Sequence, residues 1–378
     1  MWVEQSLWTP KSGWSITKKS DKGAAASLAL VFGAPEMLRE AARFGEIKAR
    51  YPKALIAIGT TGGEIHGREV CDGSISVTAL GFDSVTVDGA SVSIASVPDI
   101  FMAGAQLGQA LARPDLKSIF VLSDGIKVNG SDLIRGLQRA VGEHVVITGG
   151  LAGDGARFSE TLVGLNAIPQ PGNIAAIGFY GDALRLGHGS AGGWDVFGPE
   201  RRITRSEHNM LFELDGKPAL SLYKRYLGEH AKDLPGSALL FPLRVYQADN
   251  EKGAVVRTIV GVDEERQAMI FAGDVPQDYR AQLMKGNFDS LIDGAAEAAQ
   301  LADAEIKGER AAILVSCIGR KLLLGQRIAE EVEVIGDLLG PNTAVAGFYS
   351  YGEISPHSES HFCELHNQTM TVTVLGEA

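Results

Sequence analysis

The chain has 378 residues, of which 45% are hydrophobic and 21% are charged, and its 46 acidic against 35 basic residues give a formal net charge of −11. This composition excludes a disordered chain, and the negative charge argues against nucleic acid or an anionic membrane surface as the main partner. Three cysteines, no apolar stretch of about 18 residues and an N-terminus without the order of a signal peptide together predict a cytoplasmic protein.

The first half of the chain alternates predicted buried strands with predicted helices. Residues 27–33 form a short apolar run that ends in glycine, and a helix follows from Pro35, because proline suits the first helical turn. Further elements follow in order, with strands at 54–65, 74–82, 84–94, 118–125 and 145–155 and helices at 99–112 and 132–141, the second of which Ser131 and Asp132 can cap.

The second half begins after a joint at 198–216, which is rich in charged and turn residues. A helix is predicted from Pro218, and helices also at 281–303 and 322–339. Strands or hairpins are predicted at 240–247, 255–276, 311–319, 343–354 and 369–375. The pattern predicts a mixed α/β (α+β) fold of two domains, in which helices flank mixed sheets and a ligand cleft lies between or beside the domains.

A weak internal repeat runs through the chain. Three segments, 58–64, 148–154 and 346–353, each join a strand to small residues and then to a glycine with an acid. Predicted return strands follow them at 74–80, 160–166 and 369–375. Such repetition indicates a duplicated or pseudo-symmetric sheet.

The acids of this repeat are Glu64, Asp154 and Glu353. Acids at strand ends often line a cleft, where they act as general acid or base or hold a ligand amine. No nucleophile paired with a base can be named beside them. We therefore expect a binding protein rather than an enzyme.

Motifs for other chemistry are absent or weak in the sequence. There is no GxxxxGK[ST], GxSxG or HExxH, and no helix is predicted after the glycine-rich run at 149–155, which disfavours a dinucleotide site. His357, His361 and Cys363 are spaced too irregularly for a typical zinc site, so a solvated polar loop is favoured there.

His188 is the candidate cofactor ligand. Glycines on both sides leave open volume around its imidazole, and Trp194 and Phe197 can supply an apolar wall nearby. That combination suits an axial ligand of a flat cofactor such as haem. On the residues alone, an ordinary histidine in a strand-to-loop turn is the favoured alternative.

Several motifs in order resemble the FIST family (F-box and intracellular signal transduction). They are GTTGGEI, GGLAGDGARF, RRITRSEHNMLFELDGKPAL, LLFPL, GFYSYGEISP and HNQTMTVTVL. The resemblance implies a bacterial ligand-sensing module for signal transduction, with a FIST N-terminal sensory domain over 24–214 and a FIST C-terminal domain over 215–375. Small ligands such as amino acids are suggested for the family.

The chain also resembles the nitric-oxide-sensing haemoproteins of this family (NosP), through GGWDVFGPERRIT and through the lack of an attached kinase region. This resemblance implies haem b, regulation of a partner histidine kinase in a two-component system, and His188 as the metal ligand. His208 is the second choice, Trp194 and Phe197 would flank the cofactor, and His366 in HNQT would have a structural role.

The alternative is a sensor of a small polar metabolite such as an amino acid, without haem. Glu64, Asp154 and Glu353 would then line its pocket. A homo-oligomer is compatible with either hypothesis.

Overall fold

The fold was analysed in a computed structural model, which describes residues 1–304, 306, 308–357 and 362–378. The chain forms four sheets with helices packed against them, which confirms the predicted mixed α/β class. Three six-stranded sheets and their helices make up a body with a three-fold internal repeat, and the fourth sheet is an insertion in the third repeat. Within the described residues, no helix is both long and apolar enough to span a membrane.

The first repeat is built around a parallel strand pair, β3 and β4, with β7 antiparallel on the other side of β3. The helix predicted from Pro35 is interrupted at residues 39–40, and the N-terminal hairpin was not predicted. The elements are β1 (Trp2–Thr9), β2 (Gly13–Lys18), β3 (Leu28–Gly33), α1 (Pro35–Leu38), α2 (Ala41–Arg50), β4 (Leu55–Thr60), β5 (Glu64–His66), β6 (Glu69–Cys71) and β7 (Ile75–Gly81).

The second repeat has the same plan, with β9 parallel to β10 and β12 antiparallel to β9. Asp99 caps its first helix by accepting the Met102 N–H, whereas Asn129, and not Ser131 or Asp132, caps the second. The elements are β8 (Thr86–Ser93), α3 (Ile100–Leu111), β9 (Leu116–Ser123), α4 (Gly130–Val141), β10 (Val146–Leu151), β11 (Val163–Leu165) and β12 (Asn173–Tyr180).

The insertion follows the first strand of the third repeat and forms a nine-stranded antiparallel sheet that packs on one helix. The predicted joint at 198–216 holds two of its strands, and the boundary predicted after residue 214 falls between two strands that pair with each other. The elements are β13 (Leu184–Ala191) of the body, then β14 (Trp194–Val196), β15 (Arg201–Glu207), β16 (Met210–Leu214), β17 (Lys217–Pro218), α5 (Ala219–Leu227), β18 (Leu243–Gln247), β19 (Asn250–Arg257), β20 (Ile259–Asp263), β21 (Ala268–Phe271) and β22 (Arg280–Gly286).

The third repeat then resumes, with β23 parallel to β24 and β27 antiparallel to β23. The helix predicted from residue 281 begins only at Phe288, because 280–286 form β22, and the helix predicted at 322–339 is divided at Gly325. The elements are α6 (Phe288–Ala302), β23 (Arg310–Cys317), α7 (Ile318–Leu324), α8 (Ile328–Leu339), β24 (Thr343–Ser350), β25 (Gly352–Pro356), β26 (Cys363–His366) and β27 (Met370–Glu377).

The three repeats exchange strands in a cycle. The strand that follows each parallel pair leaves its own sheet, so that β5 pairs with β24, β25 with β10 and β11 with β4. Backbone hydrogen bonds close the same cycle at the strand ends, from the N–H of Gly62 to the carbonyl of Tyr349 (2.7 Å), of Tyr351 to Leu151 (3.1 Å) and of Gly153 to Thr60 (3.0 Å). The predicted repeat is thereby confirmed, although the return strand of its second copy is β12 and not 160–166.

The core of the body lies where the three sheets face one another. Leu30 and Phe32 of β3 point into this central core, whereas Ala29 and Val31 between them pack toward α2. Phe32 meets Phe348 of β24 with ring centroids 4.8 Å apart. The buried strands therefore read as continuous apolar runs because helices or strands cover both of their faces.

Candidate functional site

A cavity of about 380 Å³, here called the interface cavity, lies between the body and the insertion. Most of its wall is apolar, and a few polar side chains interrupt it. From the body it is lined by Gly125, Ile126, Lys127, Val128, Asn129, Leu151, Phe158, Cys317, Ile318 and Tyr351, and from the insertion by Asn209, Leu239, Thr258, Val260, Ile270, Phe271 and Ala272.

Asp124 fixes the turn that forms one side of the interface cavity. Its buried carboxylate accepts the N–H groups of Ile126 (2.8 Å) and Lys127 (2.7 Å) through one oxygen and that of Gly172 (2.7 Å) through the other. The turn directly after β9 is therefore held in one conformation, and it carries the exposed Lys127 at the cavity wall.

Tyr351 and Asp154 shape a second side. The Tyr351 ring stacks on Phe158 with centroids 4.5 Å apart, and its hydroxyl donates to the Asp154 carboxylate. That carboxylate also accepts the N–H groups of Phe158 (2.9 Å), Ser159 (3.0 Å) and Glu160 (3.0 Å). Asp154 thus organises the loop 154–160 from behind the wall of the interface cavity. Burial and the neighbouring Asp154 carboxylate raise the pKa of Tyr351.

The insertion contributes a polar spot to the wall. Thr258 is 4% exposed, and its hydroxyl has no hydrogen-bond partner among the residues that the structure describes. Its backbone N–H approaches the side-chain oxygen of Asn367 (3.5 Å), whose amide nitrogen is also without a partner in the same residues. Buried polar atoms of this kind are rare in folded proteins and mark a place where a ligand or water can bind.

A buried guanidinium lies beside this spot. Arg257 precedes Thr258, is buried, and donates to three backbone carbonyls, those of Asp274 (2.9 Å), Leu365 (2.8 Å) and the adjacent Val256 (3.5 Å). It makes no ion pair within 4.0 Å in the described part of the chain. Burial lowers the pKa of Arg257, and the nearby carboxylates of Glu364 and Asp274 oppose this shift only in part. The wall near Thr258 is consequently electropositive.

Glu64 and Glu353 lie apart from the interface cavity. Glu64 accepts the hydroxyls of Thr61 (2.5 Å) and Ser74 (2.6 Å) and the Ser74 N–H (3.1 Å), and burial raises its pKa to about 7. Glu353 accepts the Ser350 hydroxyl (2.6 Å) and both the N–H (3.2 Å) and the hydroxyl (3.0 Å) of Thr369. Burial raises the pKa of Glu353 to about 8.

His188 lies on β13, opposite Thr373 of β27, and borders an open groove of about 370 Å³ that Leu301 and Pro356 also line. The flanking glycines do not widen this space. A Cβ at Gly187 or Gly189 would overlap the backbone of α6, so these glycines serve close packing of the strand on that helix.

The other residues predicted to hold haem lie elsewhere. Trp194 is buried against the N-terminal end of α6 and donates its indole N–H to the Gln368 carbonyl (2.7 Å). Phe197 is exposed, and the Lys285 ammonium lies above its ring. His208 is exposed in the turn between β15 and β16, at a φ of 51°. The structure therefore does not bring the four predicted residues together, and only His188 of this set borders the groove.

The histidine-rich segment after β25 is described only in part, because His361 lies outside the described residues. Cys363 is buried, and its thiol donates to the Ile147 carbonyl (3.1 Å). His366 is buried and hydrogen-bonded to the Ser355 carbonyl (3.0 Å), and burial lowers its pKa to about 4. Across residues 1–304, 306, 308–357 and 362–378, no group of three or more His, Cys, Asp or Glu side chains is arranged to hold a metal ion.

Sequence reasoning did not identify Lys127, Arg257 or Thr258. One signal was present, since Arg257 and Thr258 interrupt the apolar run VVRTIV of the insertion. A charged residue inside such an apolar run is unusual. It indicates that the charged side chain has polar partners beside the strand. Lys127 carried no signal, because its turn resembles any polar connection.

Two family models together match most of the chain. The FIST N domain model matches residues 27–217 and the FIST C domain model matches residues 219–356. No curated protein matches the chain. The crystal structure of a cyanuric acid hydrolase from A. caulinodans is similar at 11% identity over 78% of this chain and 99% of that chain, with a TM-score of 0.19, at which the likeness carries no argument.

Proposed function

We propose that this chain is a sensory protein whose small-molecule ligand binds in the interface cavity. The premise is that the chain belongs to the FIST family, whose domains are associated with signal-transduction sensing. The observation that carries this proposal is the position of the cavity between the body and the insertion. Ligand sites favour junctions of this kind, and a largely apolar wall with a few polar groups is typical of them.

Binding can be converted to a signal because both units contribute to the wall. A ligand that contacts both of them favours the arrangement in which both contacts are made, and it shifts the population only by its difference in affinity between arrangements. A partner that docks on both units would detect that shift. By resemblance we propose a histidine kinase as this partner, and we expect the ligand to be bound without being chemically changed.

The test is a thermal-shift screen of a metabolite library against the wild type and two valine variants. Val260→Trp places a large ring in the cavity wall, whereas Val196→Trp makes the same change at an exposed strand position of the insertion outside the cavity. A ligand at a hundredfold excess over its Kd stabilises the protein by about 2.7 kcal/mol.

We expect stabilising compounds for the wild type and Val196→Trp that lose their effect on Val260→Trp, with mass spectrometry recovering each compound unchanged. The proposal is wrong if the library gives no shift, or if Val260→Trp responds like the wild type.

A second proposal is a haem b sensor of nitric oxide that regulates a histidine kinase, with His188 as axial ligand. The groove beside His188 supports it, whereas the separate positions of Trp194, Phe197 and His208 do not. Bound haem iron would supply the nitric oxide site. The test is the absorption spectrum of protein from cells given a haem precursor. A Soret band that His188→Ala removes and His208→Ala keeps would support this proposal, and a spectrum without that band would contradict it.

A further inference from the structure

We infer that the interface cavity selects a small carboxylate carried on an apolar body, and that it offers no counter-charge for an ammonium group. This inference rests on the proposed function, because it names the ligand class for the same cavity. It departs from the expectation that acids of the repeat hold a ligand amine.

The charge of the lining is the first argument. Lys127 is the one charged side chain among the described residues that line the cavity, and its ammonium has no ion pair in that part of the chain. Asp124 holds the backbone on which it is carried, so its position is fixed at the base of the side chain. An exposed, unpaired ammonium at a cavity wall attracts an anion.

Arg257 gives a second, independent argument. A Cβ at Gly273 would lie 3.2 Å from the guanidinium Nε, which places this buried charge behind the part of the wall next to Ala272. Two carboxylates lie near enough to act on this charge, those of Glu364 and Asp274, but neither is hydrogen-bonded to it. The Asp274 carboxylate is engaged by Asn129 (3.1 Å) and Arg135 (3.0 Å). A buried cation with only carbonyl partners is stabilised when an anion binds close to it.

Thr258 supplies the hydrogen bond. Its buried hydroxyl lines the cavity and has no partner in the described residues, so it is able to donate to a carboxylate oxygen without breaking an existing bond. Leaving such a group unpaired is unfavourable, and a suitable ligand would recover that lost free energy. The remaining wall, including Leu151, Ile270 and Ile318, suits an apolar body.

An ammonium group finds no equivalent partner. Glu64 and Glu353 do not line the cavity, and Asp154 is saturated by Tyr351 and the N–H groups of its own loop. Burying an ammonium beside Lys127 and Arg257 would add repulsion to the loss of hydration. The cavity should therefore bind a simple carboxylate more tightly than the amino acid with the same skeleton.

The experiment is isothermal titration calorimetry with two matched series of probes. One series is 4-methylpentanoate, its amide and leucine, and the other is 3-phenylpropanoate, its amide and phenylalanine. We expect the carboxylate of at least one series to bind about tenfold more tightly than its amide and its amino acid, which corresponds to about 1.4 kcal/mol.

Variants then locate the interaction. Lys127→Met should weaken carboxylate binding about tenfold and leave amide binding unchanged, while Lys53→Met, at an exposed lysine elsewhere, should change neither. Thr258→Val keeps the shape of the side chain. It should weaken carboxylate binding and at the same time raise the Tm of the ligand-free protein, because it removes an unsatisfied buried hydroxyl.

Failure of this inference differs from failure of the proposed function. If leucine or the amide binds as tightly as the carboxylate, or if neither carboxylate binds while library compounds respond in a way that Val260→Trp abolishes, the ligand class is wrong and the sensor stands. If neither a library compound nor a carboxylate probe binds, both are wrong. Unchanged carboxylate affinity in Lys127→Met also overturns the inference.

Discussion

Glu64 and Glu353 occupy the same place in the first and third repeats. Each accepts the hydroxyl of the residue three positions earlier, Thr61 or Ser350, and both the N–H and the hydroxyl of the residue before its return strand, Ser74 or Thr369. The three-fold repeat therefore extends from strand order to side-chain hydrogen bonds. The second repeat departs from it, since Asp154 binds the loop that follows it.

These two carboxyl groups make a contribution to stability that decreases as the pH rises. Both pKa values are raised by burial, to about 7 for Glu64 and about 8 for Glu353, above the ordinary value of 4.5. From pH 4.5 up to about 7 for Glu64 and about 8 for Glu353, the unfolded chain loses the proton that the folded chain keeps. The contribution of these two groups to the free energy of unfolding therefore decreases over this range. Each unit of raised pKa corresponds to about 1.4 kcal/mol.

Urea unfolding at pH 5, 6.5 and 8 measures this effect. Glu353→Gln cannot ionise and should lose less stability over that range than the wild type, whereas Glu265→Gln, at an exposed position, should follow the wild type. Parallel pH profiles for the wild type and Glu353→Gln would refute the assignment.

The repeat was visible in the sequence because its signals are local. A glycine with an acid directly after an apolar strand occurs three times within short segments, and those segments form the centre of the body. The exchange of β5, β11 and β25 was not predictable in this way, because each pairs with a strand far away in the chain. Nothing in these short strands specifies a distant partner.

The candidate site was less predictable for a related reason. Residues 198–216 were taken for a joint because charged residues such as Arg205 and Glu213 cover the outer side of strands whose other side, with Ile203 and Leu211, is buried. The interface cavity forms only where this sheet meets the body. Its polar residues therefore come from four separate parts of the chain, at 127–129, 209, 258 and 351, and share no motif.

We expect a large loss of stability when the buried ion pair between Arg320 and Glu331 is broken. Both side chains are 0% exposed and lie 2.9 Å apart, and Arg320 also donates to the carbonyls of Gly192 and Leu291 (2.7 Å). Arg320→Met should cost about 3–5 kcal/mol, because it leaves a buried carboxylate with fewer donors.

Denaturant unfolding of Arg320→Met and of Arg68→Met compares a buried with an exposed ion pair. Arg68 pairs with Asp337 (2.6 Å) on the surface, and its loss should cost about 0–1 kcal/mol. Equal effects of the two substitutions would show that burial does not make the Arg320–Glu331 ion pair more important for stability than the surface pair.

Replacement of glycine by alanine should have opposite effects on stability at Gly104 and at Gly45. Gly104 of α3 lies against α4, where an added Cβ would overlap the Leu133 carbonyl, whereas a Cβ at Gly45 of α2 meets no atom within 4 Å. Gly104→Ala should destabilise the protein by about 1–3 kcal/mol through overpacking. Gly45→Ala should stabilise it by up to about 1 kcal/mol through helix propensity. Thermal unfolding of both variants tests the close contact of α3 with α4, and a Gly104→Ala protein as stable as the wild type would contradict it.

We expect the wall of the interface cavity to depend on the hydroxyl of Tyr351. This group donates to Asp154 and accepts the N–H groups of Asp154 (3.2 Å) and Phe158 (3.3 Å). Tyr351→Phe therefore removes the link between the residue that joins β24 to β25 and the loop 154–160. Loss of these bonds should cost about 1–3 kcal/mol and should raise amide hydrogen exchange within 154–160. Tyr180→Phe is the matched control, because the Tyr180 hydroxyl donates to the Leu111 carbonyl (2.9 Å) away from this loop. Exchange in 154–160 that rises equally in both variants, or in neither, would mean that Phe158 and the backbone of the loop hold the wall without this hydroxyl.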